Sequence, residues 1–457
     1  MKKEANQTVR PPYLKIWLAF FGYSTILALL VQLVILPYLF PQWHAGDGLM
    51  IGGDWLGYHT RAVELAEKIR SQGWGAWTLR PGGGSPAGIA GAIYALTVPK
   101  PWILIPLNAA LHATAALVLL LIVQFFVPNW RLAIWAVLPF FLYPTTLLWT
   151  TQILKDGYSI AGFFLFVYGW LSLAQLETWK RVRWLTVLPL LWIVLGAALI
   201  WLVRPYMLQL MRGIGAIVAL LLTIIALRRA VKKAVSWRKA VISVVLLWGI
   251  VASLSIGIQF GGKAISFDVP NQVQAQAEGP VKWEDSGWVP KVLEDVFYSL
   301  AVVRHGFTTL NPDAASKIDV DVEFNSASDV VAYLPRAAQI AFFSPFPGQW
   351  FDRGNLSTTT MMRRVSAVEM IGVWVALIFL PYALWHWRRR SEFWVLAGFC
   401  SGMMVAYGLV IANVGSLYRV RYGFLMTLVA LSIAGALSAY QRWSYRSRTK
   451  HNSVLDP

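Results

Sequence analysis

Long apolar runs separated by short polar links recur along most of the chain. Each run is long enough to cross a bilayer, which takes about 20 apolar residues per helix. The pattern therefore predicts an all-α, polytopic membrane protein with about ten transmembrane helices. The expected spans are 14–40, 102–127, 132–150, 157–176, 185–203, 207–227, 240–259, 367–386, 393–412 and 423–440.

Arg204, Pro205 and Tyr206 interrupt one of these apolar stretches, which otherwise runs continuously from 185 to 227. We interpret the interruption as a tight hairpin at the outer face of the membrane. Without it, every later loop would change sides, and the basic cluster Arg388–Arg390 would lie outside, against the usual retention of Lys and Arg in the cytoplasm.

Two polar segments, 41–101 and 260–365, predict long extracytoplasmic loops. In the first, Ala62, Leu65, Ala66 and Ile69 recur at helical spacing opposite charged residues, which predicts an amphipathic helix on the membrane surface. The second loop contains two further amphipathic patches, near Val292–Val303 and Ser326–Phe343.

The loops divide the chain into four expected parts. An N-terminal transmembrane module, 1–259, includes the first loop. The second loop follows, then three transmembrane helices within 366–441 and a basic cytoplasmic tail, 442–457.

Lys and Arg residues concentrate in every second polar link. These links hold 21 of the 40 basic residues but only four acidic ones, Glu4, Glu177, Glu392 and Asp456. Because cytoplasmic loops retain Lys and Arg, both termini are expected inside and both long loops outside. The net charge of +18 therefore indicates membrane topology and not nucleic-acid binding. We expect a multi-pass protein of the cytoplasmic membrane whose active face is extracytoplasmic.

Metal and redox chemistry receive little support from the sequence. The chain has one cysteine, Cys400, which lies in an apolar run. A single cysteine excludes an intrachain disulfide and a cysteine-based metal site. Asp319, Asp321 and Glu323 share one edge of an extended segment, where they either bind a divalent cation or form a solvated loop edge. The second reading is favoured, so no metal site is predicted and the cofactor stays unknown.

Two acidic groups are candidates for catalysis, because ionisable residues at the outer end of a span are costly unless they are satisfied or functional. Asp54 follows two glycines and precedes the amphipathic helix; it is either a general base or a helix cap. Lys155 and Asp156 adjoin between the third and fourth spans. They form either part of a polar cavity or an ion pair at the start of a helix.

Two basic groups are candidates for binding a phosphate, for which the guanidinium fork is suited. One combines Arg204 and Tyr206 with Arg304 and His305; the alternative for Arg204 is snorkelling to lipid headgroups. The other lies in the last outward loop, where ordinary headgroup contact is the alternative, and consists of Tyr418, Arg419 and Arg421.

These groups, in this order, resemble the GT-C superfamily of membrane glycosyltransferases, and the chain is similar to multi-span proteins of bacterial surface-polysaccharide gene clusters. Four short stretches carry the resemblance: Asp54-x-x-x-Tyr58-His59 with Ala62, Lys155-Asp156, Phe343–Pro347 with Trp350, and Asn413-Val-Gly with Tyr418–Arg421. They cover about a tenth of the chain, and the span pattern covers the rest. A second acid beside Asp54, a Trp-Trp-Asp-Tyr-Gly stretch and a large C-terminal soluble domain are absent.

The resemblance implies transfer of a sugar from a polyprenyl-phosphate donor to a glycan, lipid or protein acceptor on the outer face. Asp54 then matches the catalytic base and Asp156 the second acidic position. The basic residues, with His59 and Arg61, would hold the donor and its leaving phosphate. Three alternatives stay open: a polymerase or ligase using lipid pyrophosphate, a flippase or transporter of lipid-linked sugar, and a non-catalytic scaffold.

Overall fold

The computed structural model describes residues 11–174, 187–234, 236–259, 281–309 and 314–455, and these are almost entirely helical. Helix α1 (Tyr13–Leu30) continues as a π-helix (Val31–Leu39), which contains Pro37. Because proline has no N–H and its ring clashes with the preceding turn, it disrupts regular α-helical hydrogen bonding. A short antiparallel hairpin follows, with strands β1 (His44–Gly46) and β2 (Leu49–Met50).

The remaining α-helices follow in chain order. Their bounds are α2 (Asp54–Gln72), α3 (Ser85–Leu96), α4 (Ile105–Gln124), α5 (Trp130–Leu142), α6 (Thr146–Thr151), α7 (Asp156–Ala174), α8 (Val187–Val203), α9 (Pro205–Val231), α10 (Trp237–Gln259), α11 (Lys291–Thr309), α12 (Ala327–Phe343), α13 (Ser357–Leu377), α14 (Leu380–His386), α15 (Ser391–Val410), α16 (Val414–Val420) and α17 (Tyr422–Leu455).

Seven helical segments among the described residues are long and apolar enough to cross a membrane, as an all-α polytopic protein requires. Helices α4, α15 and α17 are mostly buried in the centre, whereas α9 and α10 form an exposed hairpin at the periphery. The seven candidate spans are Tyr13–Leu39, Pro101–Gln124, Pro205–Val231, Trp237–Leu254, Ser357–His386, Ser391–Val410 and Tyr422–Ser444.

Three of the ten expected spans, 132–150, 157–176 and 185–203, are not among these seven segments. The expected span 132–150 is not one helix, because the chain leaves α5 at Tyr143 and re-enters a helix at α6. Pro144 explains the break, since the residue before a proline is driven into extended conformation. The expected spans 157–176 and 185–203 coincide with α7 and α8, apart from 175–176 and 185–186, which lie outside the described residues.

The expected interruption before α9 is confirmed. Helix α8 ends at Val203, and Pro205 begins α9, a first-turn position that proline favours.

The first loop folds back on itself instead of presenting an apolar face to lipid. Ala62, Leu65, Ala66 and Ile69 are buried, as expected for one helical face. Helix α3 covers that face, and Gly91 approaches Leu65 so closely that a Cβ would lie 2.9 Å from its side chain. Intramolecular packing therefore buries the apolar face, and the expected location of α2 on the membrane surface stays a prediction.

The second loop is also anchored to the helical bundle. Helix α12 crosses α15 at Gly408, where an added Cβ would lie 2.6 Å from the carbonyl oxygen of Ala337. The segment after α11 runs beside the start of α16, since Ile318 donates to the carbonyl of Ala412 and Val414 donates to that of Ser316. These contacts fix the start of α16, the helix that carries the candidate residues Tyr418 and Arg419.

Helices α7 and α8 pack through small residues. A Cβ on Gly196 would lie 2.5 Å from both the carbonyl oxygen of Gly162 and the backbone nitrogen of Phe166. Backbone atoms cannot rotate away, so only glycine fits. Close approach through small residues is typical of helix pairs in membranes.

We therefore predict that Gly196→Val destabilises the protein by about 1–3 kcal/mol or more, the usual cost of overpacking. Thermal unfolding in detergent measures the effect. Gly213→Val on α9 is the matched control, because nothing lies within 4 Å of its added Cβ. Equal melting temperatures for the two variants would contradict the close α7–α8 contact.

Candidate functional site

Asp54 lies at the start of α2, immediately after the hairpin. Gly53 is the N-cap residue and Asp54 occupies the first turn, so the capping role considered for Asp54 is not the one it has. The Asp54 side chain is 61% exposed. Most of the carboxylate thus remains accessible, although one of its oxygens contacts a guanidinium.

That guanidinium belongs to Arg419, whose Nη2 lies 3.3 Å from Oδ2 of Asp54. Arg419 sits in the last turn of α16, and this short helix is capped by Asn413, whose side chain accepts from the backbone N–H of Ser416 at 3.0 Å. The segments that begin α2 and end α16 therefore meet at the Asp54–Arg419 pair.

Polar residues from the π-helix and the α6–α7 link hold the loop that precedes Asp54. The side-chain amide of Gln152 accepts from the backbone N–H of Met50 at 3.1 Å and donates to the carbonyl of Gly48 at 3.4 Å. Gln32, in the π-helix, donates to the carbonyl of Thr151. Gln152 and Gln32 are buried, and their hydrogen bonds fix the hairpin and the π-helix against the end of α6.

Asp156 and Arg204 form a buried ion pair, with 2.8 Å between Oδ1 and Nη2. Arg204 also donates to the Ser159 hydroxyl at 2.9 Å. Asp156 begins α7 and Arg204 precedes α9, so the pair ties two helices together. Of the two readings of Asp156, the ion pair is the one observed, although its partner is Arg204 and not the neighbouring Lys155.

Lys155 and Tyr58 interact electrostatically with this buried pair and with Asp54. The Lys155 Nζ sits 5.8 Å from the centre of the Tyr58 ring. Burial lowers the pKa of Lys155, and the positive charge of Arg204 lowers it further. Burial and the negative charge of Asp54 raise the pKa of Tyr58 to about 12. The acidic and basic groups of the first loop, the α6–α7 link and the last loop thus share one electrostatic neighbourhood.

A cavity of about 570 Å³ opens beside Asp54 and Arg419. Both residues line it, together with Arg363 of α13. Its aliphatic lining comes mainly from the π-helix, α6 and the first turns of α13, through Val31, Ile35, Leu36, Leu147, Leu148, Met361 and Met362. The cavity is therefore amphipathic, with charged and aliphatic side chains in its lining.

Several predicted phosphate ligands have structural roles instead. Arg304 is buried and donates to the backbone carbonyls of Asp319, Val322 and Leu409. Arg421 is fully buried and donates to carbonyls at the end of α12, including that of Ile340 at 2.8 Å. Both guanidinium groups donate to backbone carbonyls, and neither arginine lines the cavity.

Four other predicted ligands do not line the cavity. His59 contacts the Tyr94 hydroxyl at 3.2 Å, and burial lowers its pKa. Arg61 donates to the Gly82 carbonyl at 3.4 Å. Tyr206 lies in the first turn of α9 next to Arg204. His305 is half-buried in α11.

Tyr418 does line the cavity, but its hydroxyl donates inward to Glu369 at 2.6 Å. Sequence reasoning missed both Glu369 and Arg363. A signal existed for each, since both are charged residues next to or inside the apolar run that begins at 367. The expected start of that span was too late, because α13 begins at Ser357 and carries both residues.

Within the described residues, no group of three or more His, Cys, Asp or Glu side chains could hold a metal ion. Asp319, considered as a cation ligand, accepts from Tyr333 and Arg336 at 2.8 Å each. Arg336 lowers the pKa of this carboxyl by hydrogen bonding to its charged form. A structural role explains Asp319.

No protein-family model matches this chain, and no curated protein or solved structure matches it. The resemblance to GT-C enzymes therefore rests on the residues of this chain alone.

The two aspartates should respond differently to truncation. We predict that Asp156→Ala destabilises the protein by about 3–5 kcal/mol, because it leaves the buried Arg204 unpaired. Asp54→Ala should have little effect on stability, since its ion pair is largely exposed and such pairs contribute about 0–1 kcal/mol. Thermal unfolding in detergent compares them.

The double variant Asp156→Ala/Arg204→Met serves as the control for that comparison. It should recover part of the lost stability, because neither charge remains buried alone. A loss that is equal for Asp54→Ala and Asp156→Ala would contradict the assignment of Asp156 as the structural acid.

Proposed function

We propose that this protein is a membrane glycosyltransferase of GT-C type, which transfers a sugar from a polyprenyl-phosphate donor to a hydroxyl acceptor. The acceptor is a glycan, a lipid or a protein, and the reaction belongs to the assembly of cell-surface polysaccharide or glycoconjugate. The observation that carries the proposal is the exposed Asp54 carboxylate beside Arg419, where both residues line an amphipathic cavity.

The cavity suits a lipid-linked phosphate in particular. Much of its apolar lining comes from two segments that are long enough to cross a membrane, Tyr13–Leu39 and Ser357–His386, and the rest mainly from α6. A prenyl chain between these segments would bring its phosphate to Arg363 and Arg419. Guanidinium groups bind phosphate oxygens through paired, charge-assisted hydrogen bonds.

The proposed reaction is a single displacement. Asp54 accepts the proton of the acceptor hydroxyl while that oxygen attacks the anomeric carbon of the donor. The bond between the anomeric carbon and the phosphate oxygen breaks, and the polyprenyl phosphate leaves with the bonding electron pair. Arg419 and Arg363 stabilise the charge that develops on the leaving oxygen. The configuration at the anomeric carbon is inverted, and Asp54 later releases its proton to water.

The charge distribution supports an extracytoplasmic site in the cytoplasmic membrane. The end of α9, the start of α10 and the link between them carry exposed basic residues and no acidic residue: Arg228, Arg229, Lys232, Lys233, Arg238 and Lys239. Such links stay in the cytoplasm. Asp54 and Arg419 belong to loops on the opposite side of the predicted topology. The membrane lipids are then the direct surroundings of the donor.

We predict that Asp54→Asn lowers the transfer rate at least about 10²-fold, the lower end of what a general base contributes. The assay uses purified protein in proteoliposomes with polyprenyl-monophosphate sugars and a mixture of hydroxyl acceptors. Glu64→Gln is the matched control, because Glu64 is an exposed carboxylate on the same helix that does not line the cavity. Full activity of the Asp54→Asn variant would exclude Asp54 as the base.

The same assay distinguishes the alternatives. Turnover of pyrophosphate-linked repeat units, and not of monophosphate-linked sugars, would identify a polymerase or ligase. Movement of the lipid-linked sugar between leaflets without transfer would identify a flippase. A complex that assembles normally with the Asp54→Asn protein and shows no chemistry of its own would identify a scaffold.

Arg363 and Arg364 are adjacent in α13 but differ in position. Arg363 lines the cavity and donates to the Ala315 carbonyl at 2.9 Å, whereas Arg364 is exposed and does not line it. We predict that Arg363→Gln and Arg419→Gln each weaken donor binding about tenfold or more, the cost of one charge-assisted hydrogen bond. Arg364→Gln should leave binding unchanged.

Binding is measured with a fluorescent short-chain polyprenyl phosphate in detergent micelles. Equal loss in all three variants would indicate a general electrostatic effect. That result would contradict a specific phosphate site in the cavity.

A further inference from the structure

Glu369 is a buried carboxylate inside a segment that could cross the membrane. It lies on α13, within the candidate span Ser357–His386, and only 3% of its surface is exposed. Three hydrogen bonds converge on it: from the Thr145 backbone N–H at 2.6 Å, from the Thr145 hydroxyl at 2.5 Å and from the Tyr418 hydroxyl at 2.6 Å.

An acidic side chain at this depth is costly and therefore marks a functional role by default. In the described part of the chain, no Lys or Arg forms an ion pair with Glu369. The three hydrogen bonds are what satisfies it. Conversely, the two hydroxyls and the N–H would be left in apolar surroundings if Glu369 were removed.

The three bonds connect three walls of the cavity. Glu369 belongs to α13, whose first turns form one wall. Thr145 begins the second wall at the break between α5 and α6, and Tyr418 belongs to α16, the third. Tyr143 also packs closely against α13, because a Cβ on Gly372 of that helix would lie 2.4 Å from the Tyr143 hydroxyl.

Glu369 does not itself line the cavity. Its contact to the site passes through Tyr418, which directly precedes Arg419 in α16. A shift of this short helix would move the Arg419 guanidinium away from Asp54. The Thr145 bonds resist the same shift by fixing α13 against the α5–α6 break.

We propose that Glu369 is a positioning residue, which uses its hydrogen bonds to Tyr418 and Thr145 to hold Arg419 against Asp54. The role of this position in sugar transfer rests on the proposed function. The geometric part does not, because the separation of α2 and α16 can be measured without any turnover.

The test is a cross-linking experiment on full-length protein in native membranes. Asp54→Cys and Arg419→Cys are introduced together, and a short bifunctional thiosulfonate joins the two thiols. The native Cys400 is buried and stays unreactive. With Glu369 present, we expect rapid cross-linking between α2 and α16.

Glu369→Gln keeps the shape of the side chain but loses one acceptor, and Tyr418→Phe removes a single hydrogen bond. Each is expected to slow cross-linking about tenfold, since a hydrogen bond to a charged group contributes that much or more to an equilibrium. Glu392→Gln is the matched control, because Glu392 is a half-exposed carboxylate paired with Arg390 at 3.9 Å. It should leave the rate unchanged.

Unchanged cross-linking in both Glu369→Gln and Tyr418→Phe would overturn the proposal. If Glu369→Gln fails to fold, as judged by gel filtration, Tyr418→Phe decides, because it retains the Glu369–Thr145 bonds. A slower rate in folded Tyr418→Phe supports the proposal, and an unchanged rate overturns it.

A double-mutant cycle on transfer gives the second readout. If Glu369 acts through Arg419, the variant Glu369→Gln/Arg419→Gln should be no slower than Arg419→Gln alone. Additive losses would overturn a role through Arg419. An absence of transfer by the unmodified protein would instead contradict the proposed function and leave the cross-linking result to decide on Glu369.

Discussion

A charge that is removed from water must find a partner inside the protein, and this constraint determines which residues remain free for chemistry. Arg304 and Arg421 are buried against backbone carbonyls, and Asp156 and Arg204 pair with each other. Asp54 differs, because most of its side chain is exposed. The buried charges hold helices and loops together, whereas the more exposed Asp54–Arg419 pair is available to a ligand.

The buried arginines also explain how Asp54 of α2 and Arg419 of α16, which are distant in the sequence, come to lie together. Arg304 binds carbonyls at Asp319 and Val322 in the second loop and at Leu409 at the end of α15. Arg421, just after α16, binds the end of α12. Each joins the second loop to the chain around α16. Arg419 is held between these anchors, so its side chain can meet Asp54 although 365 residues separate them.

The sequence predicts the parts of the molecule that depend on local pattern. Apolar runs predict the helices, and the break at Arg204 follows from its proline neighbour. The resemblance assigns both Asp54 and Arg419 to the site without pairing them, and the structure places their side chains 3.3 Å apart. The partner of Asp156 and the fates of Arg304 and Arg421 were not predictable, because each depends on which carbonyl or carboxylate the tertiary packing brings close. Periodicity also could not show that α3, and not lipid, covers α2.

The weakness of the Asp54–Arg419 contact is itself relevant to the proposed reaction. An exposed pair at 3.3 Å contributes about 0–1 kcal/mol, so a phosphate can take over the guanidinium at little cost. The buried Asp156–Arg204 pair could not exchange partners this way, because separating it would leave a charge in a dry environment. In the proposed reaction, donor binding would therefore release the Asp54 carboxylate from Arg419 at the moment when the anomeric carbon arrives. The same exposure that makes the pair unimportant for stability makes it suitable for a base that must first be uncovered.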